Sequence, residues 1–300
     1  MRCKHEMLNR NGLISFPLFI LMATQLITGG TYLVAKLGLM EFDPISLGCL
    51  RFGLAALAFI PILAVTHELK MPPKSDWGLF LLIAFLAVPL NQGLFLCGIK
   101  LTFAGHGALL YATTPMIVLV LSVMIGREHP SIKKFCGILL GFLGVILVLL
   151  DKQVAFSQNT YLGDFLIFMG VVVWGIYTLL IKNMVTRYSP IYLTGISLIL
   201  GAILFLPIGI PFLASMDLAK ITWRGIAALL YLSLLTSVFA YFIWSWGLKQ
   251  FDASKTAIVS NLQPIVAALL GWFVLGEPIS ITFVIGAIAV FIGILFTHRG

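Results

Sequence analysis

The feature that most constrains this chain is a succession of long apolar runs separated by short polar connections. Spanning about 30 Å of hydrocarbon takes about 20 apolar residues in a helix, and backbone groups in lipid must be hydrogen-bonded internally. The runs lack the alternating pattern of barrel strands. We therefore predict an all-α polytopic membrane protein with ten transmembrane helices, at residues 14–38, 46–66, 77–98, 104–125, 134–150, 162–181, 191–214, 224–247, 254–275 and 279–296.

Composition favours a lipid environment over nucleic-acid binding. Apolar residues make up 60% of the chain and charged residues 10%, against about 45–50% and about 25% in soluble domains. The net charge of +8 is spread over the short connections and forms no basic stripe. The first apolar run is longer than the core of about 7–15 residues in a signal peptide, so we expect it to be retained as a helix.

The positions of Lys and Arg predict the orientation. With the N-terminus in the cytoplasm, the cytoplasmic segments hold 13 of the 19 basic residues and the opposite side holds four. This bias agrees with the positive-inside rule. It predicts a multi-pass protein of the inner (plasma) membrane with both termini in the cytoplasm. The connection from Ser215 to Trp223 fits least well, because Lys220 and Arg224 lie in or beside it.

The chain contains an internal repeat. Residues 98–144 align with residues 247–293 without a gap at an offset of 149, and 12 of the 47 positions are identical. A second block, which includes Lys36 and Lys182, aligns at an offset of 146. The pairs at an offset of 149 include Lys100 with Lys249, Pro115 with Pro264, and Glu128 with Glu277.

The repeat predicts two domains, residues 1–152 and residues 160–300, each a unit of five helices (5+5). Because five is an odd number, the second unit must enter the membrane from the opposite side. Inverted repeats are typical of secondary transporters, whose substrate site lies near the midplane between the halves. The pattern therefore predicts a transporter that works by alternating access.

Four sequence motifs occur in both halves. A Gly precedes an aliphatic-Lys ending of the first helix, in GGTYLVAKLG and WGIYTLLIKN, and a Pro lies inside the fourth helix, in TTPMI and LQPIV. A Glu follows the fourth helix, and glycines run through the fifth. The halves differ before this Glu, where Arg127 stands in the first and Gly276 in the second. With these motifs, nearly the whole chain resembles the EamA-type transporters of the drug/metabolite transporter (DMT) superfamily.

The resemblance implies a carrier. Members of this family export amino acids and related metabolites, and others move sugars, nucleotide derivatives or drugs. We expect an exporter of small metabolites, most of all amino acids or related compounds. A drug or nucleotide-derivative carrier and an importer of the same fold are the alternatives. A channel or scaffold, which would lack saturable counterflow, is a further one.

A membrane-embedded enzyme is the remote alternative. It would need a nucleophile, an acid–base pair or a metal cluster, whereas the five histidines are scattered and the four cysteines form no CxxC pair. We therefore expect no catalytic residue, no metal and no cofactor. The expected partners are a small-molecule substrate and the lipid bilayer, without nucleic acid. The sequence leaves the oligomeric state open, and a monomer is compatible with it.

Polar and aromatic residues inside the predicted spans are the candidate substrate site, because polar groups in lipid cost free energy unless they are paired. The alternatives are hydrogen bonding between helices and, for the aromatic residues, ordinary packing. The predicted substrate-binding residues are Gln25, Thr28, Asn91, Gln92, Tyr111, Thr114, Trp174, Tyr177, Tyr241, Trp244, Asn261 and Gln263.

Pro115 and Pro264 occupy equivalent positions in the two halves. A proline inside a helix removes one backbone hydrogen bond and crowds the preceding turn. We predict that both are hinges for alternating access, with a static kink as the alternative.

The carboxylates fall in predicted loops or at helix ends, and none lies clearly in the middle of a span. We expect His106 to be an interfacial residue and not a proton carrier. Because a proton relay usually needs an intramembrane Asp, Glu or His, the sequence favours facilitated export over proton antiport. Glu128 and Glu277 are expected to cap or pair at the N-termini of the fifth and tenth helices, which attract negative charge.

Overall fold

The computed structural model describes residues 16–126, 132–149, 158–251, 253–277 and 279–299. Every regular element within these ranges is helical. Within them the first half contains the α-helices α1 (Phe16–Gly38), α2 (Pro44–Val65), α3 (Trp77–Phe85), α4 (Asn91–Leu101), α5 (Ala104–Tyr111), α6 (Thr114–Met124) and α7 (Ile132–Leu149). Those of the second half are α8 (Gln158–Met184), α9 (Pro190–Ala214), α10 (Trp223–Leu230), α11 (Tyr241–Gln250), α12 (Ala253–Ile258), α13 (Gln263–Leu275) and α14 (Ile281–Arg299).

Several of these helices are continuous with one another. A π-helical segment, Leu86–Leu90, joins α3 to α4, and a second, Tyr231–Ala240, joins α10 to α11. A 3₁₀ turn, Val259–Leu262, joins α12 to α13. π-Helical turns are rare and occur frequently at functional sites.

Seven helical stretches in the described part of the chain are long and apolar enough to cross a membrane. They are Phe16–Gly38, Pro44–Val65, Lys74–Leu101, Ala104–Met124, Asn159–Met184, Pro190–Ala214 and Trp223–Gln250. Two shorter apolar stretches, Val259–Leu275 and Ile281–Gly293, follow. The all-helical polytopic architecture agrees with the prediction, whereas the ten-helix 5+5 arrangement stays a prediction. Glu128 and the predicted domain end at residue 152 lie outside the described residues.

Equivalent residues begin α2 and α9. Asp43 accepts a hydrogen bond from the backbone N–H of Ile45 (2.9 Å), and Ser189 accepts one from that of Tyr192 (3.1 Å). A proline follows each cap at the first helical position. Short polar side chains satisfy the free N–H groups of a helix start, and proline lacks the N–H that would be unpaired there. The local sequence therefore fixes where both helices begin.

Large apolar side chains cover much of the outer surface. Phe273, Val65 and Trp223 are among the most exposed, with Phe273 at 83%. Soluble monomers rarely expose large contiguous apolar patches, and a bilayer accommodates this surface without penalty. The interior also holds polar side chains, among them Gln25, Arg51 and Asn91.

Glycines allow α4 and α8 to approach closely. A Cβ placed on Gly98 would lie 2.7 Å from the carbonyl oxygen of Gly163, and one on Gly163 would lie 2.7 Å from that of Gly98. Small residues at such crossings let helix backbones meet in membrane proteins. This contact brings Gly170 of α8 beside the side chains that follow the first π-helical segment.

Candidate functional site

A cavity lies between helices of both halves. It encloses about 730 Å³ of empty space together with its opening. Its walls come from α1, α2, α4, α5 and α6 of the first half and from α8, α11, α13 and the nearby π and 3₁₀ segments of the second. The lining residues are Leu21, Thr24, Gln25, Thr28, Thr31, Tyr32, Arg51, Asn91, Gln92, Phe95, Tyr111, Thr114, Trp174, Thr236, Ala240, Tyr241, Ile243, Trp244, Ser260 and Gln263.

The structure places ten of the twelve sequence-predicted site residues on this lining. They are Gln25, Thr28, Asn91, Gln92, Tyr111, Thr114, Trp174, Tyr241, Trp244 and Gln263. Tyr177 is buried behind Trp174 and Asn261 is buried in the 3₁₀ turn, and neither lines the cavity. The role of all twelve residues in substrate binding stays a prediction.

One hydrogen-bonded group joins α1 to α13. Gln263 Nε2 donates to Gln25 Oε1 (2.8 Å), and the hydroxyl of Tyr32 donates to Gln263 Oε1 (2.7 Å). Thr28 Oγ1 also donates to Gln25 Oε1 (3.1 Å). Because Gln25 and Gln263 come from different halves, this group ties the halves together at the wall of the cavity.

A second group follows the first π-helical segment. Asn91 Nδ2 donates to the carbonyl oxygen of Gly170 (2.7 Å) and to the hydroxyl of Tyr111 (3.0 Å). Gln92 Nε2 donates to Asn91 Oδ1 (2.6 Å) and to the hydroxyl of Tyr241 (3.1 Å). The amide of Gln92 is therefore held with its Oε1 free to accept from another donor.

That donor is Arg51, which the sequence analysis did not select. Arg51 Nη1 donates to Gln92 Oε1 (2.8 Å) and Arg51 Nε donates to Ser237 Oγ (2.7 Å). The side chain is 1% exposed, and its guanidinium lies 4.9 Å from the ring centre of Phe52. The signal in the sequence was a single basic residue inside the apolar run 46–66.

Aromatic rings form another part of the lining, and Tyr241 joins them to the Gln92 group. The ring centre of Trp174 lies 5.1 Å from that of Tyr241 and 5.6 Å from that of Trp244. Tyr177 packs behind Trp174 at 4.9 Å. Such offset and edge-to-face contacts favour a fixed ring arrangement. In the described residues the indole Nε1 of Trp244 is buried without a hydrogen-bond acceptor.

Both predicted hinge prolines follow a break in an α-helix. Pro115 lies in the first turn of α6, after the turn at Ala112 and Thr113 that ends α5. Pro264 lies in the first turn of α13, after the 3₁₀ turn. Both breaks adjoin cavity-lining residues, Thr114 and Gln263. Motion at these breaks stays a prediction.

His106, expected at the membrane interface, is buried between helices beside Asp164, and its depth in the membrane stays a prediction. His106 is 4% exposed and its Nδ1 lies 3.2 Å from Asp164 Oδ2, while Asp164 is 2% exposed. Thr102 Oγ1 donates to the other carboxylate oxygen of Asp164 (2.5 Å). The sequence missed this pair because α5 and α8, which carry its two members, are far apart in the chain. Neither residue lines the cavity.

Glu277 also differs from its expected position. Its carboxylate accepts from the backbone N–H of Ala104, at the start of α5, and from Lys36 Nζ (2.8 Å). It therefore caps α5 of the first half and not the helix that follows it, α14. Lys36 Nζ donates in addition to the carbonyl oxygen of Thr102 (2.8 Å).

Among the described residues no group of three His, Cys, Asp or Glu side chains is placed to hold a metal ion. The cavity instead combines amides, hydroxyl groups and one guanidinium with aromatic rings. This arrangement can bind a small polar molecule that carries an apolar part.

The sequence profile of the EamA-like transporter family matches the chain twice, over residues 15–150 and over residues 161–299. The chain belongs to the EamA-like transporter family. The resemblance inferred from the sequence motifs is thereby confirmed, and the family name and the apolar helices indicate a membrane transporter.

Curated relatives agree over almost the full length. An uncharacterized transporter of Archaeoglobus fulgidus is 31% identical over 281 residues, covering 93% of this chain and 96% of its own. The uncharacterized transporter YyaM of Bacillus subtilis is 29% identical over 279 residues, covering 92% and 91%. These names indicate transporters and name no enzyme. A chain of known crystal structure has a TM-score of 0.69 at 17% identity and covers 92% of this chain and 94% of its own, which shows a shared fold.

Proposed function

We propose that this EamA-like protein is a secondary transporter that exports small metabolites, most of all amino acids or related compounds, by alternating access around a midplane cavity. The proposed architecture is ten transmembrane helices in two inverted five-helix repeats, residues 1–152 and 160–300. The observation that carries the proposal is the cavity itself, whose polar and aromatic lining is drawn from both halves.

The contacts between the halves support alternating access. Secondary transporters bind substrate between repeats that rock against each other. In this chain Gln25 and Gln263 join the halves on one wall, and Gln92 and Tyr241 join them on another. Hydrogen bonds between side chains can be exchanged for hydrogen bonds to a substrate at little cost. The side chains that join the two halves are therefore also the groups that would bind the substrate.

The proposed location is the inner (plasma) membrane with both termini in the cytoplasm. The bias of Lys and Arg toward the connections on the N-terminal side supports this orientation. The breaks before Pro115 and Pro264 are the proposed hinges, since each lies beside a lining residue and lacks continuous α-helical hydrogen bonding.

Counterflow in proteoliposomes tests the proposal. Purified protein is reconstituted with unlabelled amino acids inside, and uptake of labelled amino acids, nucleosides and sugars is followed. We expect saturable exchange of the amino-acid class, and Trp174→Ala and Gln263→Leu are expected to reduce it at least about tenfold. Trp272→Ala is the matched control, because Trp272 is 57% exposed and lies outside the lining.

If nucleosides or drugs are exchanged and amino acids are not, the proposed substrate class is wrong and the proposal that the protein is a carrier stands. Flux that does not saturate and shows no counterflow would favour a channel and overturn the carrier. Right-side-out and inside-out vesicles distinguish export from import.

A second candidate, proton-coupled transport, is favoured by the buried pair of His106 and Asp164. Intramembrane ionisable residues are common in proton relays. A pH gradient imposed across the proteoliposomes would drive uphill flux in the coupled case and not in the facilitated case. His106→Gln with Asp164→Asn would abolish the uphill component alone. The absence of uphill flux in the unmodified protein would exclude coupling to protons.

A further inference from the structure

Arg51 gives the cavity a fixed positive charge. An arginine side chain carries five N–H donors. Among the described residues Arg51 donates to two neutral oxygens, Gln92 Oε1 and Ser237 Oγ. No described carboxylate lies within ion-pair distance of the guanidinium. Buried charges are normally paired, so this one calls for a partner of opposite charge.

The lining supplies no such partner. The twenty described residues around the cavity include one Arg and no Asp or Glu. The site therefore attracts a negative group through Arg51 and offers no carboxylate for an ammonium group. Among the described residues the buried indole Nε1–H of Trp244, on the aromatic wall, is a donor without an acceptor.

The second half carries no charge at the equivalent position. In the repeat alignment Arg51 corresponds to Ser197, 146 residues later, and Ser197 donates to the carbonyl oxygen of Leu193 in its own helix. By contrast, Lys36 and Lys182 are also 146 residues apart, and both donate to main-chain carbonyl groups. A charge with an architectural role recurs in both halves, whereas the charge of Arg51 occurs in one.

The rest of the cavity defines the body of the ligand. Trp174, Tyr241 and Trp244 present a contiguous aromatic wall, with ring centres 5.1 Å and 5.6 Å from that of Trp174. Planar guanidinium groups bind carboxylates with two parallel hydrogen bonds, and aromatic walls favour apolar or aromatic bodies. A carboxylate and a ring can be bound at once, since both walls face one cavity.

We propose that the cavity selects small carboxylates of net negative charge with an apolar or aromatic body, and that Arg51 binds the carboxylate. This inference rests on the proposed transport function for its role in substrate choice. It predicts that a ligand without an ammonium group binds more tightly than the amino acid of the same shape.

Four ligands with the same phenylpropyl body test the inference by charge alone. They are 3-phenylpropanoate (net negative), phenylalanine (zwitterionic), 3-phenylpropanamide (neutral) and 3-phenylpropylamine (net positive). The full-length protein is titrated with each in detergent at neutral pH, and binding is followed by the concentration dependence of the thermal unfolding midpoint. We expect 3-phenylpropanoate to bind about tenfold to about a hundredfold more tightly than the amide, because charge-assisted hydrogen bonds are strong. The amine is expected to bind most weakly.

Variants assign the preference to Arg51. Arg51→Gln is expected to make the acid and the amide bind equally, whereas Arg51→Lys keeps the order with weaker binding because lysine lacks the planar fork. Ser237→Ala removes a hydrogen-bond partner and keeps the charge, so it is expected to preserve the order. If Arg51→Gln does not fold, the ligand series on the unmodified protein and on Ser237→Ala still tests whether the cavity prefers ligands of net negative charge.

The outcomes separate this inference from the proposed function. Equal or tighter binding of phenylalanine overturns the preference for net negative ligands and leaves an amino-acid carrier intact. No measurable binding of 3-phenylpropanoate also overturns it. Binding in the expected order without counterflow upholds the role of Arg51 and overturns the transport proposal.

Discussion

The two halves of the chain present different chemistry to one cavity. The first half supplies the guanidinium of Arg51 and the amides of Asn91 and Gln92, whereas the second supplies the rings of Trp174 and Trp244. Gln92 of the first half and Tyr241 of the second both follow a π-helical segment, yet one carries an amide and the other a phenol, and Gln92 Nε2 donates to the Tyr241 hydroxyl at 3.1 Å. The comparison shows how two copies of a repeated unit can place different side chains around one cavity.

The largest expected difference between the halves concerns helix packing at Gly98 and Gly247, which are 149 residues apart. A Cβ on Gly98 would lie 2.7 Å from a backbone oxygen, whereas one on Gly247 would lie 2.6 Å from the tip of Leu21, a flexible side chain. We expect Gly98→Ala to lower the free energy of unfolding by about 1–3 kcal/mol and Gly247→Ala by clearly less. Thermal unfolding in detergent measures both.

Gly53→Ala is the control for this pair. A Cβ on Gly53 meets no atom within 4 Å, so the variant is expected to gain about 0.5–1 kcal/mol from helix propensity. Equal losses for Gly98→Ala and Gly247→Ala would show that the close backbone approach is not what distinguishes the two crossings.

The next difference concerns Trp174 and Thr28, which correspond at an offset of 146 and both line the cavity. Trp174→Ala removes the centre of the aromatic wall and is expected to weaken binding of a ring-bearing substrate about tenfold or more. Thr28→Val removes one hydrogen bond to Gln25 and is expected to change binding less than about threefold. Counterflow measured at increasing substrate concentration gives the change in apparent affinity for both variants. A larger effect of Thr28→Val would show that the second half does not supply the surface that binds the ring.

A smaller effect is expected at the ion pair between Lys36 and Glu277, which links the end of α1 to the connection after α13. Lys36→Met leaves the Glu277 carboxylate with only the Ala104 N–H, so it should destabilise the protein more than Glu277→Gln. The double variant is expected to recover about 1 kcal/mol relative to the sum of the single ones. If the stability losses of the two single variants add up to that of the double variant, the interaction between Lys36 and Glu277 does not stabilise the protein.

The smallest expected difference lies in the connections. Glu41 accepts hydrogen bonds from the backbone N–H and the hydroxyl of Thr222 (both 2.7 Å), and these bonds lower the pKa of Glu41. Because the pKa in the folded state lies below its ordinary value, the stabilising contribution is present above that value and is lost as the pH falls through the lowered pKa. At the corresponding position, 146 residues later, Arg187 pairs with Asp76.

Glu41→Gln should therefore reduce the loss of stability between about pH 6 and about pH 3.5, while Arg187→Gln leaves the Glu41 contribution in place. Thermal unfolding at the two pH values measures this. An unchanged pH dependence in Glu41→Gln would show that the exposed carboxylate is screened by solvent.

Much of the fold and most of the cavity lining could be predicted from the sequence. Apolar length determines helices in lipid, so runs such as 14–38 and 191–214 match α1 and α9 closely. Polar residues inside such runs, for example Gln25 and Asn91, must turn toward one another, which is why most of them met at one cavity.

The sequence did not predict features that depend on how deeply a side chain is buried or on contacts between segments far apart in the chain. Arg51 lay in an apolar run near a predicted end, and only the packing of α2 against the second π-helical segment shows that it is buried. Tyr177 lies one layer behind Trp174, a distinction that the sequence does not contain. His106 and Asp164 pair through the crossing of helices from different halves.

Lys36 and Lys182 each donate to a main-chain carbonyl group, at Thr102 and at Phe251. A carbonyl oxygen is supplied by every amino acid, so these two hydrogen bonds do not depend on the side chains at positions 102 and 251. Covariation between each lysine and the residue that supplies its acceptor is therefore not expected among relatives. Methods that infer proximity from correlated substitutions would not detect these two hydrogen bonds. Replacing the amide acceptor with a backbone ester, which is a weaker acceptor, would reveal them where side-chain replacement does not.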